Sequence, residues 1–208
     1  MAAARLDAVL PEFREGLSVR WRAFPLEIIN DRPASRSIVD QEWPLIAVQE
    51  PRSPCRAWPH GEFVRTTMMA YDAYLSANGQ DSERARVYDL KIRRAFFYEG
   101  RRIDEAGVLC ALAEESGLDP APIRADVEGE RYREETLADC REALRRRDDE
   151  GLPMTSPTMF LPSGEAFFNP FASEKRFESG KLVEVHPPSR YGEAVLEGYR
   201  DILRKAAA

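Results

Sequence analysis

Cysteine and histidine are scarce in this chain. Its three cysteines, Cys55, Cys110 and Cys140, lie far apart, with no C-x-x-C and no cluster with His60 or His186, its two histidines. That spacing excludes the usual structural zinc patterns and a disulfide framework, so no metal is expected. Positive charge is not in excess either: 30 Lys and Arg stand against 36 Asp and Glu, a formal charge of −6. Such a balance offers no global attraction to nucleic acid or anionic lipid, and neither is expected as a partner. Long apolar runs are missing too. The start, Met1-Ala2-Ala3-Ala4-Arg5-Leu6-Asp7, lacks the apolar core of a signal peptide, and no later run reaches bilayer-spanning length. The expectation is a cytoplasmic chain with reduced thiols. No internal repeat or low-complexity tract is present.

What is present is enough for one domain of 208 residues carrying an insertion. Leu6, Val9, Leu10, Phe13 and Leu17 predict a helix from about Ala3 to Gly16, kinked or shortened by Pro11. Ser18 to Phe24 alternates with period two, with Val19, Trp21 and Ala23 on one face, and predicts a strand ended by Pro25. Between Asp31 and Gly61, five prolines (Pro33, Pro44, Pro51, Pro54 and Pro59) predict a loop region with only brief regular structure. Helical patterning then fills about 62–150. The segments are Glu62 to Ala77 closed by Asn78-Gly79, Ser82 to Tyr98, Glu105 to Ser116 capped by Asp104, a turn at Pro120 to Val127, and Arg131 to Glu150.

Met154-Thr155-Ser156-Pro157-Thr158-Met159-Phe160-Leu161, then Pro162-Ser163-Gly164-Glu165 and Ala166-Phe167-Phe168-Asn169-Pro170, reads as a hairpin whose first strand is entered through proline. The trans preference of an X-Pro bond is only about 0.5–1 kcal/mol, so packing can hold Ser156-Pro157 in either form. A cis bond would present the N–H and C=O of Ser156 to an extended ligand; a trans bond would make an ordinary turn before an edge strand. Lys181 to Val185 predicts a short strand, and Tyr191, Val195, Leu196, Tyr199, Ile202 and Leu203 a last helix from Ser189 to Lys205. The order implies an α/β chain with one mixed sheet and helices on both faces.

Among candidate chemical groups, Cys110 and Cys140 fall on apolar helix stripes and read as small core residues. Cys55 has Arg56 and His60 nearby, which would lower a thiol pKa if they faced it. His60 and His186 read as loop residues without a catalytic partner. The Arg-rich runs at Lys91 to Arg94 and Arg141 to Arg147 read as solvated helix surface.

Three stretches together resemble a known family: Val19 to Asn30; Ile92 to Ile103 running into Val108 to Asp119; and Ser156-Pro157-Thr158 with Phe160 to Gly164 and Asn169-Pro170. They are similar to the thioredoxin-like fold with a DsbA-type helical insertion, the group of FrnE-like oxidoreductases and 2-hydroxychromene-2-carboxylate isomerases. The resemblance implies a cis-proline at Pro157. It also implies thiol–disulfide oxidoreductase chemistry, in which a thiolate attacks a substrate disulfide and Thr155, Ser156 and Pro157, beside Phe24, hold the substrate. A thiol or disulfide substrate, a peptide or glutathione is the implied partner, with glutathione as co-substrate in the isomerase branch and no other cofactor; a homodimer is left open. The family opens with a strand leading into C-x-x-C, or a variant of it, at the first helix, and this chain begins inside that helix. The first strand and the redox dithiol are therefore expected to be missing from these residues. Of three explanations (a start further upstream, a strand supplied by another segment or chain, or a fragment with a damaged site) the first is favoured. A redox-inactive binding protein is the alternative function.

Overall fold

The computed structural model describes residues 2–13, 15–32, 35–59, 61–179, 181–186 and 192–207. Helix α1 spans Ala2–Val9 and passes into a 3₁₀ turn at Leu10–Phe13, where Pro11 cannot donate to the helical ladder. The alternating segment after it is not a strand. Among the described residues nothing pairs with Ser18 to Phe24, and Val19 and Trp21 stay 40% and 36% exposed. Alternation sets which side chains share a face, but a strand also needs a neighbouring backbone edge. Here a helix stands alongside instead: the Ala23 N–H donates to the Asp139 carboxylate at 2.7 Å, and Arg22 ion-pairs with the same group.

The proline-rich stretch is also more regular than expected. After a single turn, α2 (Leu26–Ile29), comes α3 (Arg36–Ala47), with Pro44 inside it. An interior proline costs about 3 kcal/mol. Val39 and Trp43, four residues apart on the buried stripe, outweigh it, because a buried Trp removes about 150–250 Å² from water, or about 4–6 kcal/mol at 25 cal/mol per Å².

The helical block comprises α4 (Met68–Gln80), α5 (Ser82–Arg94) running into a π turn at Ala95–Glu99, α6 (Ala106–Glu115), α7 (Pro120–Glu128) and α8 (Arg133–Asp148). Asn78-Gly79 does not close the first of these; it lies within α4, and Asp81 divides α4 from α5 by accepting the Arg84 N–H at 3.0 Å. Nor does Asp104 cap α6. Its carboxylate receives the Arg65 N–H and the Arg102 guanidinium, and Glu105 is the cap residue. Asp119 caps α7 ahead of Pro120 by accepting the Ala121 N–H. The block and α3 share the largest core, in which Trp43, Trp58, Phe63, Phe96 and Phe97 form a continuous ring cluster.

Strands β1 (Thr158–Phe160) and β2 (Ala166–Phe168) form one antiparallel hairpin, and β3 (Glu174–Glu178) and β4 (Lys181–His186) form another. The expected single mixed sheet is therefore two separate two-stranded sheets among the described residues. Helix α9 (Glu193–Ala207) lays Val195, Leu196, Tyr199 and Leu203 against Leu6 and Val9 of α1. Ser189 and Tyr191, expected in this helix, and His60 lie outside the described residues. Arg5 and Glu50, both almost wholly buried and 2.7 Å apart, tie α1 to the end of the α3 region. No helix among the described residues is long and apolar enough to cross a membrane.

Candidate functional site

The site is built on the β1–β2 hairpin. Thr158 faces Phe168, Met159 faces Phe167 and Phe160 faces Ala166. Gly164, at φ +88°, makes the turn, a conformation an L side chain rarely adopts. The Pro157 carbonyl accepts the Asn169 N–H at 2.7 Å, and the Leu161 N–H donates to the Glu165 carbonyl at 2.9 Å. Backbone direction alternates along a strand. With residues 157 and 161 turned toward β2, the N–H and C=O of Thr158 and Phe160 point to the opposite edge. No strand pairs with that edge among the described residues.

The entrance to this edge is the sequence Thr155-Ser156-Pro157, and the Ser156–Pro157 bond is cis. One side chain spans it: the Thr158 hydroxyl donates to the Thr155 carbonyl at 2.8 Å and accepts the Thr155 N–H at 3.2 Å. Sequence reasoning missed this role. The available signal was the spacing of two threonines across a proline turn, since Ser and Thr hydroxyls bond nearby backbone groups.

The two faces of the hairpin differ. Met159 packs toward the α1–α9 core, and Phe167 lies under the Lys205 ammonium at 5.3 Å. On the other face Phe160 meets Phe168 edge-on, and the Arg146 guanidinium of α8 sits 4.4 Å from the Phe160 ring centre. Phe160 is nonetheless 44% exposed. Thr155, Ser156 and Pro157 are thus consecutive at the strand entrance. Phe24 packs against a small core of Ile29, Cys140 and Ala143 that Met154, two residues before Ser156, also contacts.

The three cysteines lie in the interior as free thiols. Cys55 is buried, and its thiol donates to the Trp43 carbonyl at 3.1 Å. Burial raises its pKa, so the lowering expected from Arg56 and His60 is not realised. Arg56 instead sends its guanidinium to the Tyr98 carbonyl. Cys110 and Cys140 are buried as well, near the Pro120 and Thr136 carbonyls, and burial raises both. His186 lies 3.4 Å from Glu184 on the exposed β3–β4 hairpin. Among the described residues no group of three His, Cys, Asp or Glu side chains is placed to hold a metal ion.

A cavity of about 370 Å³ opens between the 3₁₀ turn, the Leu17 to Trp21 segment and the helices α4 and α5. Thr155, Ser156, Pro157 and Phe24 do not line it.

No protein-family model matches the chain. No curated protein matches it in sequence. Among solved structures it is similar to one described as a "putative protein disulfide isomerase from Nitrosomonas europaea", with a TM-score of 0.63, 18% identity, and coverage of 97% of this chain and 89% of that one. At that identity the likeness speaks to the fold. With the helical block set between the 18–24 segment and the proline-entered hairpin, it makes this chain's fold a thioredoxin-like α/β fold of the DsbA type.

Proposed function

We propose that this chain holds an extended thiol- or disulfide-bearing substrate in DsbA-like thiol–disulfide chemistry, and that none of its three cysteines is the nucleophile. The carrying observation is the entrance to β1 itself: Ser156 is exposed, and among the described residues its backbone N–H and C=O take no hydrogen-bond partner. An extended peptide lying along that entrance would meet the N–H and C=O of Ser156, as an added strand does. Thr155, Ser156 and Pro157 form the entrance, and Phe24 supports it through the core shared with Met154. In this reading residues 62–150 are the helical insertion of one DsbA-like domain of the FrnE-like kind. Glutathione, a short thiol peptide, suits the same entrance.

The attacking thiolate in such a reaction comes from a sulfur other than Cys55, Cys110 or Cys140. Each of these is buried and biased toward its neutral form, whereas the thiolate is the attacking species. The same burial favours a second reading, a binding protein without redox chemistry. Turnover of a disulfide peptide separates the two.

The binding claim is tested with peptides N-methylated at one residue at a time. Pairing with Ser156 uses the amide of the one ligand residue opposite it. Affinity should therefore fall at that position and stay unchanged at the others. Uniform sensitivity, or none, would contradict binding at Ser156.

A further inference from the structure

The turn that follows β2 carries a residue its backbone does not favour. Asn169-Pro170-Phe171-Ala172 closes with the Ala172 N–H donating to the Asn169 carbonyl at 3.1 Å, and Phe171 stands at φ +61°. With proline at the second position of such a turn, a positive φ at the third is the place of glycine or asparagine. A bulky side chain is disfavoured there and persists only where its surroundings hold it.

Those surroundings are the α1–α9 core. The Phe171 ring meets Tyr199 edge-on at 5.6 Å and fills the notch left by Gly198, where a Cβ would overlap it. The Phe171 carbonyl accepts the buried Arg5 guanidinium at 3.4 Å. At its other end the turn reaches the entrance to β1. Asn169, itself at φ +44°, donates its N–H to the Pro157 carbonyl at 2.7 Å. One short turn thus connects a ring seated on α9 with the residue next to Ser156.

We propose that Phe171 is a positioning residue for ligand binding at Ser156: with its ring seated against Gly198, it holds the 169–172 turn in the form that keeps the Asn169 N–H on the Pro157 carbonyl. The inference rests on the reading of Ser156 as the ligand entrance.

The test compares three variants with the parent. Phe171→Gly keeps the positive φ accessible but removes the ring. Gly198→Ala keeps the turn but fills the notch. Leu203→Ala opens the same core one helical turn further along α9. Affinity is read by fluorescence polarisation with a labelled Thr/Val heptapeptide carrying one central cysteine. Exchange of the Asn169 N–H is read without peptide, relative to the Leu161 N–H of the same hairpin, which registers general loosening. Phe171→Gly and Gly198→Ala should each weaken binding about tenfold, the equivalent of about 1.4 kcal/mol, and speed relative exchange at Asn169. Leu203→Ala should lower the melting temperature but leave affinity and relative exchange at parent values. The first two variants reach the seat from opposite sides, so either one that folds carries the test. Parent-like affinity in a folded Phe171→Gly or Gly198→Ala protein, or an equal loss in Leu203→Ala, would overturn the role of Phe171 while leaving binding at Ser156 intact. Failure of the parent to bind the peptide would overturn the entrance reading itself, and this inference with it.

Discussion

Thr158 and Thr155 close on one another across the cis-proline entrance: one hydroxyl serves both the N–H and the C=O of Thr155, at 3.2 and 2.8 Å. The residue that presents its backbone to the free edge therefore also fixes the loop leading into that edge.

Replacing this hydroxyl with a methyl in Thr158→Val keeps the shape and β propensity but leaves both Thr155 groups without their partner. The expected cost is about 1–2 kcal/mol in denaturant unfolding, together with weaker peptide binding. Thr158→Ser, which keeps the hydroxyl, should recover most of both. Parent-like stability and binding in the Val variant would show that the loop is held by other means.

Glu50 is nearly inaccessible and accepts from Arg5 and Arg52. Burial by itself would raise its pKa, but the hydrogen bonds and charges of the two arginines outweigh burial and hold the carboxyl below its ordinary value near 4.5. A depressed pKa stabilises the folded state above the ordinary value, and that contribution is lost as pH falls through the folded one. Glu50→Gln leaves Arg5 buried without its counter-charge, for an expected loss of about 3–5 kcal/mol near neutral pH. The variant should also lose less of its remaining stability than the parent when acidified below pH 4.5. Chemical denaturation across pH measures both effects.

The three thiols have folded pKa values raised by burial. Their contribution to stability is present below the ordinary thiol range and is lost as pH rises through the folded values. Native protein at pH 7 should therefore react with a thiol-specific chromogenic disulfide far more slowly than unfolded protein. Fast reaction of any one thiol in the native state would contradict the exclusion of these cysteines as nucleophiles.

Gly198 lies inside α9, where Ala would ordinarily improve a helix by about 1 kcal/mol. A Cβ at this position would overlap the ring of Phe171, which packs edge-on against Tyr199. Gly198→Ala should therefore destabilise the protein, by about 1–3 kcal/mol, with partial recovery in combination with Phe171→Leu. A stabilised single variant would show that the Phe171 ring has room to move.

Features carried by neighbouring residues were legible in the sequence. The segment Glu105 to Ser116 anticipated α6, Pro120 to Val127 the place of α7, and Pro162-Ser163-Gly164 the turn between β1 and β2. What depended on distant partners was not. Ser18 to Phe24 alternates as a strand should, but pairing requires an edge that no local pattern reveals. The helix containing Pro44 survives because Trp43 finds a core assembled from Trp58, Phe63, Phe96 and Phe97, residues distributed over a long stretch of chain. Strand β3 was hidden by its composition, with all five residues exposed and four of them charged. At the candidate site the proline entrance could be read locally. The Thr158 bridge and the Arg146–Phe160 contact required the fold.

Amide hydrogen exchange with and without a saturating extended peptide tests the central claim most directly, because it reads the entrance groups themselves. The account predicts slower exchange at the N–H of Ser156, with those of Met159 and Leu161, already turned toward β2, unchanged. Binding accompanied by protection elsewhere, for instance around Trp21 and Tyr74, and none at Ser156, would contradict it.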